Sequence, residues 1–254
     1  MNFNYDAALL LLIFARMSGC VLLNPILGRR NIPFPVKAGL SLMLSFFTYP
    51  LVPQRPVGIS SPLVLGLCVM KELLVGFAVG FVIQLFLSVI VMGGEQMDMQ
   101  MGISMSRIYD PQSNVSMPLS ASVLNAMFLL IFFASNAHLT LVQVFVRLGA
   151  AVPYGTGLVP AGVGEKLAGV FAQMLIYAAK LALPIIAVEM VTEIGVGLVT
   201  RAVPQIDIFT VEIQLKIIIG FVAVVLLVPP FANFLEKLIG LMFDCISGVY
   251  ALLT

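Results

Sequence analysis

Two glutamates four residues apart, Glu189 and Glu193, come closest in this sequence to a constellation that could do chemistry. That spacing puts both carboxylates on one helix face, where they could bind a proton or a cation, or meet basic residues of a neighbour. Lys180 stands nine positions before Glu189, about 14 Å along a helix axis, too far for an intrahelical ion pair. His138 is the only histidine, and no Cys, Asp or Glu lies close to it at ligand spacing; it reads as a hydrogen-bonding residue near a helix end, beside Asn136. Gly157 to Lys166 has only a superficial likeness to a phosphate loop: the spacing fails, and Leu167 replaces the required Ser or Thr. Neither a G-x-S-x-G elbow nor an H-E-x-x-H helix occurs. Cys20, Cys68 and Cys245 are far apart in apolar segments, so they form neither a disulfide framework nor a metal set. These residues predict no enzyme and no cofactor.

The elements that must carry these residues are apolar. The chain is 61% hydrophobic and only 10% charged over 254 residues, against about 25% charged in a soluble domain. Its apolar surface must face lipid or other subunits. A net charge of +1 provides no field for nucleic acid. Trp, the usual interfacial anchor, is absent. The N-terminus lacks a basic region and an A-x-A site, so Met1 is read as the mature start. Hydrophobic runs cover Ala7–Leu27, Val36–Tyr49, Leu63–Met92, Val123–Val146, Leu167–Thr200, Ile213–Val228 and Phe231–Leu253. All have helical length, and none alternates like a barrel strand. The expected fold is all-α: a multi-helix membrane-associated protein with Pro- and Gly-broken helices.

Charges interrupt these runs at Arg16, Lys71, Glu72, Lys180, Glu189, Glu193 and Lys216. At about 3 kcal/mol each, exposing the set to lipid would cost roughly 20 kcal/mol, so the charges must be paired, face protein or lie outside the hydrocarbon. Arg29, Arg30 and Lys37 mark one side, but later connections mix signs and give no consistent topology. Helices packed against many partners suit this pattern better than a lone bundle in lipid. Gly76-x-x-x-Gly80 offers a close-approach surface.

The region from Met92 to Pro118 is the most distinctive. Gly93-Gly94 is expected to end the long third run. Met97, Met99, Met101 and Met105 follow, either filling gaps in a helix interface or sealing around variable shapes. Asp110-Pro111 then marks a turn within a polar loop.

G-E-Q-x-x-x-Q-M-G (Gly94 to Gly102), Asp110-Pro111 and Met117-Pro118 together resemble the core of the FliR family of flagellar export-gate proteins, which has homologues in virulence type III secretion. Asn136-x-His138, Ala182-Leu183-Pro184, Gly197-Leu198-x-x-Arg201-x-x-Pro204-Gln205, Ile208-Phe209 and Leu215-Lys216 continue the series in order. Gln214 departs from the pattern, since many members carry proline there. Ala178 to Phe231 also resembles FliQ, a two-helix partner. The resemblance implies one export-gate subunit, with a FliP-like part over 1–165 and a FliQ-like helical hairpin over 166–254, its turn at Pro204, Gln205 and Phe209. It implies a non-enzymatic role in a FliP–FliQ–FliR pore of the bacterial inner membrane, at the flagellar basal body. The implied partners are FliP and FliQ homologues, then FlhB and FlhA homologues, membrane lipid and exported flagellar proteins, with no nucleic acid. It further implies a pore plug around Arg107, Tyr109, Asp110, Pro111, Gln112, Ser113, Asn114 and Met117. A seal is implied near Met97, Met99, Met101 and Met105. Lys180, Glu189, Glu193, Arg201 and Lys216 are expected as subunit-interface charges. The competing expectation is a self-sufficient secondary transporter or channel that uses Glu189 and Glu193.

Overall fold

A computed structural model describes residues 3–29, 31–52, 61–104, 117–155, 161–202 and 208–253. Every regular element among the described residues is helical. Helix α1 is Phe3–Leu22, α2 is Phe34–Thr48 and α3 is Pro62–Gln100. They are followed by α4 (Leu119–Ala134), α5 (Ala137–Ala151), α6 (Ala161–Ala202), α7 (Ile208–Leu226) and α8 (Val228–Leu253), with a short 3₁₀ turn at Tyr49–Leu51 after α2. The expected all-α architecture is what the chain adopts.

Breaks between helices follow from local chemistry. The first apolar run stops being helical at Leu22, short of Leu27. Asn24 folds its side chain over the turn, and its Oδ1 accepts from the Ile26 and Leu27 N–H groups at 2.8 and 3.1 Å. Helix α2 opens on Pro35, whose missing N–H costs nothing in a first turn. Asn136 separates α4 from α5 with φ 58°, a left-handed conformation that asparagine tolerates. Pro229 and Pro230 fall in the first turn of α8, and α7 meets it at a 61° bend. Pro184, by contrast, sits inside α6 without ending it.

The Gly93-Gly94 pair does not end its helix, contrary to expectation: α3 runs through both to Gln100. A glycine pair can mark either a stop or a close approach, and here it is the second. A Cβ on Gly93 would press on Leu181 and the Ala178 carbonyl of α6, and one on Gly94 would collide with Ala121 of α4.

The chain forms two compact units, each assembled from separate stretches. One comprises 1–86, 135–172 and 239–254; the other comprises 87–134 and 173–238. In the first, α1 packs on α2, and both touch α5. The α1–α3 contact there is made backbone to backbone. A Cβ on Gly19 would come within 2.5 Å of the Leu73 carbonyl, one on Gly76 would strike the Arg16 carbonyl, and one on Gly80 would meet Leu23 at 2.9 Å. The expected close-approach glycines therefore do face another helix. In the second unit, the end of α3 packs with α4, α6 and α7.

Pro62–Gln100 and Gly162–Arg201 are long and apolar enough to cross a membrane. Two bent pairs, Leu119–Ala134 with Ala137–Arg147 and Val211–Leu226 with Val228–Leu252, raise that number to four if each acts as one span.

Candidate functional site

The C-terminal end of α3 carries several methionines. Met97 and Met101 are one helical turn apart and fully buried, whereas Met99 is 67% exposed on the other side. Past Gln100 the chain turns through Gly102, whose φ of +78° suits a residue without Cβ. The Met101 N–H donates to Met97 O at 2.9 Å, and the Gly102 N–H to Met99 O at 3.2 Å. Met101 rests against α7 at Gly220, where an added Cβ would overlap its thioether. Met117 is half-buried just before α4. Met105, Arg107, Tyr109, Asp110, Pro111, Gln112, Ser113 and Asn114 lie outside the described residues.

Beside Gly220 sits Glu189. Its side chain is fully buried, and neither carboxylate oxygen has a hydrogen-bond partner among the described residues. A Cβ on Gly220 would come within 2.9 Å of Glu189 Oε1, so the bare glycine makes room for the carboxyl group. One turn before Gly220 on α7, Lys216 Nζ lies 2.8 Å from Glu212 and 3.5 Å from Glu193 of α6. Glu193 and Lys216, expected to pair with neighbouring subunits, thus pair within this chain. The Glu193 side chain is largely exposed, so this contact adds little stability by itself. Lys180 is exposed, with its ammonium 5.4 Å from the Tyr177 ring centroid. Arg201 is also exposed at the end of α6. Pro204 and Gln205 fall outside the described residues, and Phe209 falls in the first turn of α7.

The first unit holds a polar knot that sequence spacing did not pair. Arg16 of α1 is completely buried and donates through Nε to Glu72 Oε2 of α3 at 2.7 Å. Its two terminal nitrogens donate to the Val152 and Pro153 carbonyls at 2.9 and 3.4 Å. Glu72 Oε1 in turn accepts from the Gly155 N–H at 3.0 Å. Tyr154 lays its ring 3.8 Å from the guanidinium. Burial pushes the Tyr154 phenol well above its ordinary range; Arg16 opposes that shift, while Glu72 and Cys20 add to it. His138 stands in the first turn of α5, close to Asn136 as expected. Among the described residues these groups tie helices and turns together.

The chain matches the model of a family described as bacterial export proteins, family 1, across residues 7–242. It belongs to that family. The flagellar biosynthetic protein FliR of Escherichia coli (strain K12) is 30% identical over 225 residues, covering 89% of this chain and 86% of that protein. FliR of Bacillus subtilis (strain 168) is 26% identical over 253 residues, 95% and 94% of the two chains. The Yop proteins translocation protein T of Yersinia pestis is 24% identical over 241 residues, 93% and 92% of the two. The resemblance to the FliR family thus extends over nearly the whole chain. As a bacterial export protein of this family, the chain is a component of a type III export apparatus.

Proposed function

We propose that this chain is the FliR-type subunit of a flagellar export gate. In this reading it assembles with FliP and FliQ homologues in the inner membrane, next to FlhA and FlhB homologues, and unfolded flagellar proteins pass through the pore. Its FliP-like part covers residues 1–165 and its FliQ-like hairpin residues 166–254. The segment from Arg107 to Met117 plugs the resting pore, and Met97, Met99, Met101 and Met105 form part of the surrounding seal. Lys180, Glu193 and Arg201, which are exposed, belong to the faces turned toward the other subunits, whereas Glu189 and Lys216 act inside this chain.

The observation that carries the reading is the apolar surface of a helix too short to span a bilayer. Helix α2 has 15 residues, about 22 Å of rise, yet Phe34, Phe46 and Phe47 are 70%, 63% and 57% exposed. Side chains of this size need cover, and a protein assembly supplies it where a lipid span cannot.

Two measurements test the proposal. Co-expression with cognate FliP and FliQ homologues, followed by mass determination of the detergent-extracted particle, should give a discrete complex with this chain as the minority subunit. A monomer or homodimer that ignores both would overturn the gate assignment. Deleting Gln112 to Ser116 should then make resting cells leak small solutes; unchanged permeability with the complex intact would remove the plug.

A further inference from the structure

A carboxyl group buried in a protein finds partners or gives up its charge, because desolvation penalises the anion far more than the neutral acid. Glu189 of α6 has found no partner. It is completely buried, and among the described residues neither of its oxygens takes part in a hydrogen bond. The hydroxyl of Thr192, three residues further along α6, donates instead to the Val188 carbonyl at 3.0 Å. Across from Glu189, α7 presents Gly220 and the end of α3 presents Met101. A Cβ added at Gly220 would overlap the Met101 thioether and come within 2.9 Å of Glu189 Oε1. The acid therefore sits where three helices close over a bare glycine. Ile185, one turn before it on α6, and Ala223, one turn past Gly220 on α7, are buried as well.

The charged groups nearby are engaged elsewhere. Among the described residues, Lys216 of α7 is the one whose field bears on Glu189. Its ammonium lies 2.8 Å from Glu212 and 3.5 Å from Glu193. One cation thus faces two carboxylates before Glu189 is counted, and a third negative charge would add to a surplus. On α3, Glu95 is exposed, and Asp98 accepts from the Leu119 and Ser120 N–H groups. Helix α4 carries no charged residue. Glu193 is exposed and joined to Lys216, so the two glutamates of α6 do not share a site.

We infer that Glu189 is a single proton-binding site, held as the neutral acid while α3, α6 and α7 are packed together. The neutral acid fits this apolar seam and the anion does not, so the proton and the closed packing favour each other. Whatever parts the seam lets the O–H bond break. The proton passes to the water admitted there, and the carboxylate is left to that water and to the field of Lys216. Every group involved belongs to this chain, so the site does not depend on which subunits surround it.

The test is infrared difference spectroscopy at neutral pH on the full chain, extracted with its co-expressed partners. A protonated carboxylic acid has a carbonyl stretch that an ionised carboxylate lacks. Wild type minus Glu189→Gln should show that band, and carbon-isotope labelling of the glutamate carboxyls should move it. Spectra that match in this region mean that Glu189 is ionised, and the site is then wrong. Should Glu189→Gln not fold, Glu189→Asp keeps an acid in place, and the band must leave the labelled glutamate set. A band that stays in that set belongs to another residue and overturns the assignment. Gly220→Ala tests the link to packing: its methyl wedges the seam, so the band should be lost. Gly197→Ala, with nothing within 4 Å of its added Cβ, should keep it. A full band in folded Gly220→Ala would show that the closed seam is not what holds the proton. In wild type, which needs no variant, the acid proton should exchange with deuterium more slowly than exposed backbone amides do. Immediate exchange would likewise sink the link between proton and seam.

Discussion

At the scale of single residues, the strongest dependence lies at Arg16 and Glu72. Both are buried, and between them they bind each other, two carbonyls and one amide. Removing one partner leaves the other as an uncompensated buried charge, at about 3–5 kcal/mol. Arg16→Met or Glu72→Met alone should therefore abolish recovery of monodisperse protein, while the double substitution should regain a substantial part of it. Equal loss in all three variants would mean that the hydrogen bonds to 152–155, and not the charge pair, dominate. Tyr154 adds a pH dependence to the same knot. Its phenol is buried, its oxygen has no hydrogen-bond partner among the described residues, and burial raises its pKa in the folded chain. The unfolded chain, with an ordinary phenol near 10, then releases its proton first as pH rises. The stability associated with a neutral Tyr154 is complete below about pH 10 and is lost above it. Tyr154→Phe should leave thermal unfolding unchanged at pH 8 and flatten its decline between about pH 10 and 11. A decline as steep as wild type would assign the alkaline loss to other groups.

At the scale of elements, the glycines distinguish contact from chance. Gly76 of α3 touches α1 so closely that a Cβ has no space, whereas Gly66 of the same helix has nothing within 4 Å of an added Cβ. Gly66→Ala should thus be neutral or gain up to about 1 kcal/mol from helix propensity. Gly76→Ala must push α1 and α3 apart and should lower the unfolding temperature by several degrees. Equal behaviour of the two variants would show that α1 and α3 do not meet there. The Gly76-x-x-x-Gly80 spacing made this interface legible in the sequence. The same letters misled at Gly93-Gly94, because glycine alone does not say whether a neighbour's backbone approaches or a helix stops. Charged positions showed a similar split. That Arg16 and Glu72 required partners followed from their apolar surroundings. That they partner each other, 56 residues apart, depends on helix packing that no local pattern encodes. The Asp98 carboxylate, which accepts from the Leu119 and Ser120 N–H groups at the start of α4, was hidden for the same reason, since 21 residues separate Asp98 from Leu119.

At the scale of the whole molecule, composition and architecture lead to one consequence. Two helices, or four elements with the bent pairs, suffice to cross a membrane, while large apolar side chains remain exposed on α2, α4, α6 and α7 alike. Lipid can cover those on a span, but the face of α2 carrying Phe46 and Phe47 belongs to no element long enough to be one. On the proposed reading the other export-apparatus subunits cover that face, because a 15-residue helix buried among protein neighbours needs no particular length. A photo-activatable phenylalanine analogue at Phe47 should therefore crosslink to another export-gate subunit in intact membranes. The same analogue at Leu130, 72% exposed on a helix of a bent pair, provides the comparison. Crosslinks from Phe47 to lipid alone, in cells that contain the assembled complex, would place α2 in the membrane surface and remove the main support for a buried role.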